Sequence, residues 1–309
     1  MWKKPWTFAE GFLIGGGLLA VGLLLQVVLG PVQWDLLAWP VNIILLVLFL
    51  VMLGIMYALR RKVYLFEWMM HLGAAVPALC YTLGLTIIMG LVAQYDGEGE
   101  APGRIPWLSQ MLNFWPFVLS YVWLTVIAGL ASINHLLRFR LKEIPFLLNH
   151  LGLFVALIGG TLGSPDKQEL LMTVNEGETE WRAETESGGF VEPGIAIELH
   201  DFIMEEYPLQ PGARMRMPKR FASEVTVYTQ SGGRIINAVI DVNKPLKVEG
   251  WKIYQYGYDE QAGTESQVSI LQLVKDPWIV VVYIGIYMML AGAMLLFFFM
   301  APRPKRKEE

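Results

Sequence analysis

The sequence predicts a polytopic α-helical membrane protein of about six spanning helices, both termini inside, with an extracytoplasmic β-rich domain between the fifth and sixth. Three observations predict it. Of 309 residues 54% are hydrophobic and only 17% charged, and mean hydropathy is +0.44, too apolar for an ordinary soluble domain of this length. Lysine and arginine gather in alternate connections between the apolar runs. Residues 164–277 abandon long apolar runs for short segments rich in Val, Ile, Tyr and Thr.

Six apolar runs approach or exceed the roughly 20 residues that cross a bilayer. They cover 8–30, 38–59, 68–93, 114–137, 145–163 and 278–300, the fifth being the shortest, with a Pro145 start. Lys3 and Lys4 precede the first run, and Arg60, Arg61 and Lys62 follow the second. Arg138, Arg140 and Lys142 follow the fourth, and Arg303, Lys305, Arg306 and Lys307 form a basic tail at 301–309. The intervening connections are nearly free of basic residues: "GPVQWD" has none, and 94–113 has Arg104 beside Asp96, Glu98 and Glu100. Positive charge stays on the cytoplasmic side, so the chain begins and ends inside a cytoplasmic membrane. The first run is too long for the apolar core of a signal peptide and shows no small-residue cleavage site, so it reads as an uncleaved signal anchor. The lipid bilayer is the first partner implied; the net charge of −4 averages two different surfaces and gives no footing for nucleic acid.

The outer segment reads as strands: "QELLMTV", "GIAIELHDF", "SEVTVYT", "IINAVIDV", "WKIYQYGY" and "SQVSILQLV", several with period-two alternation. Turn chemistry separates them at Asn175-Glu176-Gly177, Ser231-Gly232-Gly233, Asn243-Lys244-Pro245 and Glu249-Gly250. A segment of this size buries one core, so a small β-sandwich or barrel-like domain is expected. It shows no convergent acid, base or nucleophile. The single cysteine, Cys80, lies in the third run; with no CxxC, thiol exchange and CxxCH haem attachment on this chain are excluded. Cys80 reads as a small packing residue.

Four histidines remain. His200, in "IELHDF", sits on a strand with a structural reading, and His135 closes the fourth run at the cytoplasmic boundary, where an imidazole suits the helix C-terminus. His71 and His150 open two related stretches, "HLGAAVPALCYTLG" and "HLGLFVALIGGTLG", identical at seven of fourteen positions with an offset of 79 residues. Each follows a basic connection, so both imidazoles are expected one to two turns inside the cytoplasmic leaflet on helices of the same direction. Glu67, one turn before His71, is placed to orient its ring, and Asn149 adjoins His150. Neutral imidazole in a membrane suits axial ligation of haem iron, proton relay or an interhelical hydrogen bond. The glycines and alanines around both, Gly73, Ala74, Ala75 and Gly84, and Gly152, Gly159, Gly160 and Gly163, allow either close helix packing or room for a flat macrocycle.

The stretch "FLLNHLGLFVALIGGTLGS" before an outer domain, "LHDFIMEEYP" within it, then "IDVNKPLKVEGWKIYQYGYD" and "LVKDPWIVVVYIG" resemble ResB/CcsB-type cytochrome c biogenesis proteins over residues 145–300. The motif residues Asn243, Pro245, Leu246, Gly250, Tyr254, Gln255, Asp276 and Pro277 read as structural. The resemblance implies System II cytochrome c maturation: a protein that handles haem b across the membrane with a CcsA/ResC-like partner and helps deliver it to apocytochrome c. It carries the family's membrane histidine over to His150, with His71 as second candidate for the haem iron. Two departures stand out. The family has three helices before its outer domain where five are expected here, and the partner's WGxxWxWD motif is absent, "VQWDLLAW" not matching it. The chain is therefore expected to act as a subunit of a haem-attachment complex rather than as a synthetase by itself. Two other readings stay open at this point: a b-type cytochrome subunit passing electrons from quinol through haem held by His71 and His150, and a haem-free assembly scaffold.

Overall fold

A computed structural model describes residues 2–95, 106–208, 217–230 and 233–300. Asp96, Glu98, Glu100 and Arg104, most of the Ser231-Gly232-Gly233 turn and the basic tail lie outside the described residues. The chain divides into a helical unit, Met1–Asp166 with Trp278–Glu309, and a β unit, Lys167–Pro277. Among the described residues six helices are long and apolar enough to cross a membrane, and the β-rich unit falls in the chain between the fifth and the sixth. The protein is a multi-pass membrane protein with an extracytoplasmic β-rich domain, its sidedness following from the basic connections.

The spanning helices are α1 (Phe8–Leu29), α2 (Val41–Leu59), α4 (Leu72–Leu91), α5 (Trp115–Leu137), α6 (Ile144–Gly163) and α7 (Ile279–Met300), with a short α3 (Tyr64–Trp68) before α4. Buried residues run along most of α5, and α1, α2, α4 and α6 all pack on it, while α7 packs along α6. Helices α1, α2, α4 and α7 leave large apolar side chains exposed, such as Leu24, Val28, Leu48, Leu83 and Phe297, as lipid-facing surfaces require.

Polar residues inside the spans secure helix ends, whose first N–H groups have no partner within the helix. Thr7 and Glu10 close a capping box at the start of α1, the Thr7 N–H donating to Glu10 Oε2 at 2.8 Å. The buried Gln26 accepts the backbone N–H of Trp115 at 3.1 Å, and the Trp115 indole donates to Gly30 O at 2.9 Å. The end of α1 and the start of α5 are thereby clamped together. Such roles need a tertiary partner, so the sequence pattern alone did not reveal them.

The third run differs from the single helix expected over 68–93. Residues Met69–His71 interrupt it, and His71 is the N-cap of α4, with extended backbone (φ −109°, ψ 159°). The corner packs through glycine: a Cβ on Gly73 would lie 3.0 Å from the Trp68 indole nitrogen, and one on Gly11 would meet Pro77 Cγ at 2.6 Å. Around it Trp6 makes edge contacts with Tyr64 and Trp68 at 5.3 and 5.4 Å between centroids.

The β unit is an antiparallel sandwich. One sheet has the order β4 (Phe190–Val191), β3 (Ala183–Thr185), β1 (Gln168–Asn175), β10 (Val268–Lys275), β9 (Trp251–Tyr258), β8 (Leu246–Val248). The other has the order β2 (Thr179–Glu180), β5 (Ile195–Glu206), β6 (Pro218–Thr229), β7 (Ile235–Asp241). Met172, Val174, Leu271, Leu273 and Ile253 of the first sheet share one buried core with Ile197, Leu199, Val225, Val227 and Ile240 of the second, as alternation along half-buried strands predicts.

The six strands read from pattern are the long ones; β2, β3, β4 and β8 are too short to carry a period. Within the sequence motif, Glu249 and Gly250 join β8 to β9 with positive φ at both (48° and 87°), the backbone signature of a type I′ hairpin. Asn243 turns the chain after β7 at φ 63°. Gln255 is buried between the sheets: Ser223 Oγ of β6 donates to its Oε1 at 2.6 Å, and its Nε2 donates to Ser269 Oγ of β10 at 3.0 Å. His200 sits where the β5–β6 register shifts, its Nε2 2.6 Å from Thr226 Oγ1, a structural role.

Candidate functional site

The α5–α6 turn builds the site. Helix α5 ends at Leu137, a three-residue 3-10 turn spans Leu141–Glu143, and α6 opens with Pro145 in its first turn, where proline's missing N–H costs nothing. His150 is the seventh residue of α6, about 9 Å along the helix at 1.5 Å per residue. Side chains on a helix lean toward its N-terminus, so His150 leans back toward the turn while His135 leans up into α5. The two rings meet with centroids 5.1 Å apart and planes tilted by 31°.

Each ring is anchored through Nδ1. His150 Nδ1 lies 2.8 Å from the carbonyl oxygen of Phe146. A carbonyl only accepts, so the proton of the neutral ring is on Nδ1 and Nε2 carries the lone pair. His135 Nδ1 lies 2.8 Å from Glu143 Oε2, an acceptor that puts the proton of a neutral ring on Nδ1 here too. Phe146 serves both rings: its carbonyl holds His150, and its own ring stacks on His135 at 6.0 Å with a 14° tilt. Both imidazoles therefore offer Nε2, the nitrogen that ligates a metal when Nδ1 is anchored.

The other candidates that the sequence singles out do not join this cluster. His71 is exposed at the mouth of α4. Helix α4 packs on α1 and α5, whereas α6 packs on α5, α2 and α7. Glu67 lies on α3 and is exposed, and the interruption of the helix at Met69–His71 removes the one-turn spacing that was expected to orient the His71 ring. Asn149 donates to Pro145 O at 2.8 Å and faces α7, where a Cβ on Gly292 would lie 2.5 Å from its Nδ2.

The glycines of α6 answer a question the sequence left open. Gly152, Gly159 and Gly163 meet α7 and its leading residue: a Cβ on each would lie 2.6 Å from Gly285 O, 3.1 Å from Val281 Cγ1 and 2.3 Å from Trp278 Cβ, respectively. They serve close helix packing. Gly84 and Gly160 have open space beside them.

His135 is the residue that sequence reasoning set aside. Its signal was Glu143 eight positions on, across a turn short enough to bring α5 and α6 together. Among the described residues there is no group of three or more His, Cys, Asp or Glu side chains suited to a metal ion; an axial haem site needs only one or two.

Residues 138–270 match the ResB-like family. The match relates this membrane protein, at the level of the family, to proteins of haem biogenesis. It begins just after His135, includes Glu143, His150 and the motif residues from Asn243 to Gln255, and leaves out His71, Glu67, Asp276 and Pro277. Among curated proteins none matches the chain. Among solved structures one similar chain is "Cytochrome c Heme Lyase CcmF", with 13% sequence identity and a TM-score of 0.35 over 74% of this chain. The chain spans 38% of the length of that protein.

Proposed function

We propose that this protein is a cytochrome c maturation factor of the ResB/CcsB type, handling haem within the membrane and helping to pass it to an apocytochrome c on the outer side. The observation that carries the reading is the state of His150. It stands in an apolar helix, its Nδ1 is committed to Phe146 O at 2.8 Å, and it falls inside the stretch that matches the ResB-like family. A histidine in that state presents the lone pair that haem iron takes as an axial ligand. The donor set fits the cargo: an imidazole near the cytoplasmic end of the helices and, on the adjacent connection, the exposed Arg138, Arg140 and Lys142, cations suited to haem's carboxylates.

The β sandwich offers binding surface rather than chemistry. Its buried polar groups are used in its own core, with Gln255, Ser223 and Ser269 bonded to one another. In this reading it docks the apocytochrome or shapes the exit, and a CcsA/ResC-like membrane protein completes the site.

The test is to purify the full chain with its membrane partners and measure haem by pyridine haemochrome. Wild type is expected to carry haem, and His150→Ala to lose about tenfold or more of it, with His71→Ala close to wild type. Haem equal in wild type and His150→Ala would overturn the assignment. Haem absent from the wild-type assembly would leave only the scaffold reading. A stoichiometric, reversibly reduced haem in the isolated chain would instead point to a resident electron-transfer cytochrome.

A further inference from the structure

We infer that His135, held by Glu143, is a second ligating imidazole of the His150 site, and that the two rings serve haem iron in turn rather than from opposite faces of it. The inference rests on the haem-handling reading and adds to it a residue outside the family match. It begins with the two anchored rings. One ring with Nδ1 on a carbonyl is common in helices; two adjoining rings, anchored independently on Phe146 O and Glu143, both with Nε2 left to ligate, are a built arrangement.

Distance decides how the pair works. One iron held between two imidazoles needs about 6 Å or more between ring centroids, the sum of two metal–nitrogen bonds of about 2 Å and the two ring radii. The observed 5.1 Å is shorter, and a macrocycle has no room between the rings. With the centroids only 5.1 Å apart, a ligand that leaves one ring has the other within a short step. Exchange then breaks one iron–nitrogen bond as the other forms, with no net change of charge, proton or electron. His135, with 21% of its side chain exposed, lies at the cytoplasmic end of α5 next to Arg138 and Arg140.

The bland account of the same geometry is an ion pair that fastens the α5–α6 turn. Under that account His135 affects folding alone. His135→Gln separates the two, because the glutamine amide still donates to Glu143 and does not ligate iron. The experiment loads the full chain, copurified with its membrane partners, with ferric haemin, and records the absorption band and the half-saturation concentration. It compares wild type, His135→Gln, Glu143→Gln, His150→Ala and the His135→Gln/His150→Ala double variant, each checked for unchanged size-exclusion elution.

The expected result is a shifted band with about three- to tenfold weaker binding in His135→Gln and, to a smaller degree, in Glu143→Gln. His150→Ala should keep a residual site that the double variant abolishes. A His135→Gln spectrum and affinity equal to wild type, with His150→Ala losing haem completely, would overturn this inference and leave the proposed function standing. Loss of nothing in any variant would overturn both.

Discussion

The carboxylate of Asp166 accepts the indole N–H of Trp278 at 2.7 Å, joining the two residues of the helical unit between which the β domain is inserted. The same carboxylate accepts the backbone N–H of Trp39 at 2.8 Å and the side-chain amide of Asn42 at 2.7 Å, and Asn42 also donates to Leu162 O at 3.0 Å. One acid thus gathers the outer ends of α2, α6 and α7. Adding a large extracytoplasmic insertion between two spanning helices separates them in the sequence; this cluster keeps them together in space.

Asp166→Ala removes the acceptor of three donors; the fully buried Asn42 keeps its bond to Leu162 O through one amide hydrogen and has the other stranded. Each stranded buried donor costs about 1–3 kcal/mol, so the variant should lose about 2 kcal/mol or more. Thermal unfolding of the full chain in detergent checks it. Asp166→Asn keeps a carbonyl oxygen and is expected to lie between the two; an unchanged Tm in Asp166→Ala would show the cluster to be idle.

The α6–α7 contact makes a sharper contrast. A Cβ on Gly285 would lie 2.6 Å from both Ala156 N and Gly152 O, whereas one on Gly160 would meet nothing within 4 Å. Gly285→Leu should therefore force the helices apart and lower the yield of folded protein several-fold, and Gly160→Ala should behave as wild type. Monodisperse recovery after detergent extraction reads both.

Much of this architecture was legible because its signals are periodic or compositional. Runs such as Phe8–Leu29 announce a span, basic clusters such as Arg60-Arg61-Lys62 orient it, and Glu249-Gly250 announces its hairpin. The candidate site was half legible. His150 stood out by its apolar setting, but the repeated HLG drew attention to His71, whose position in the chain is a helix cap. His135 was hidden because its meaning depends on how α5 and α6 cross, and the first sequence sign of that is Glu143. Interhelical partners such as Gln26 with Trp115, or Asp166 with Trp278, have no period to betray them.

A pH dependence follows at the Glu206–Pro218 end of the β5–β6 pair. Lys219 and Arg220 donate to Glu205 at 3.2 Å each, and these bonds hold its carboxyl below the ordinary carboxylate range. A group whose folded pKa is depressed adds stability above its unfolded pKa, about 4.3 for glutamate, and loses it as pH falls through the folded value. Hydrogen exchange of the β5 and β6 amides in the full chain should be slower in wild type than in Glu205→Gln at neutral pH. The difference should shrink below about pH 4; a constant difference down to pH 2 would refute the ion-pair origin.

The buried link between the two sheets allows a test of coupling. Gln255, Ser223 and Ser269 are bonded to one another, with Ser223 Oγ also 2.6 Å from Ser269 Oγ. The set is more than 90% buried at each member, and its one bond outside the three side chains is from Gln255 Nε2 to Gly257 O at 2.9 Å. Gln255→Leu removes the acceptor that orders both hydroxyls and leaves one of them unpaired, at about 1–3 kcal/mol. Ser223→Ala and Ser269→Ala each strand part of the glutamine amide in the same way. Replacing all three with Leu, Ala and Ala removes every stranded group together, and apolar replacement of a whole polar set is close to neutral. The triple variant should therefore be no less stable than the single Gln255→Leu variant, well short of the sum of the three single losses. Chemical denaturation of the full chain, followed by the fluorescence of the buried Trp251 in β9, measures all four variants. Losses that simply add would mean that the three side chains act separately and that the sheets are held in register by the apolar core alone.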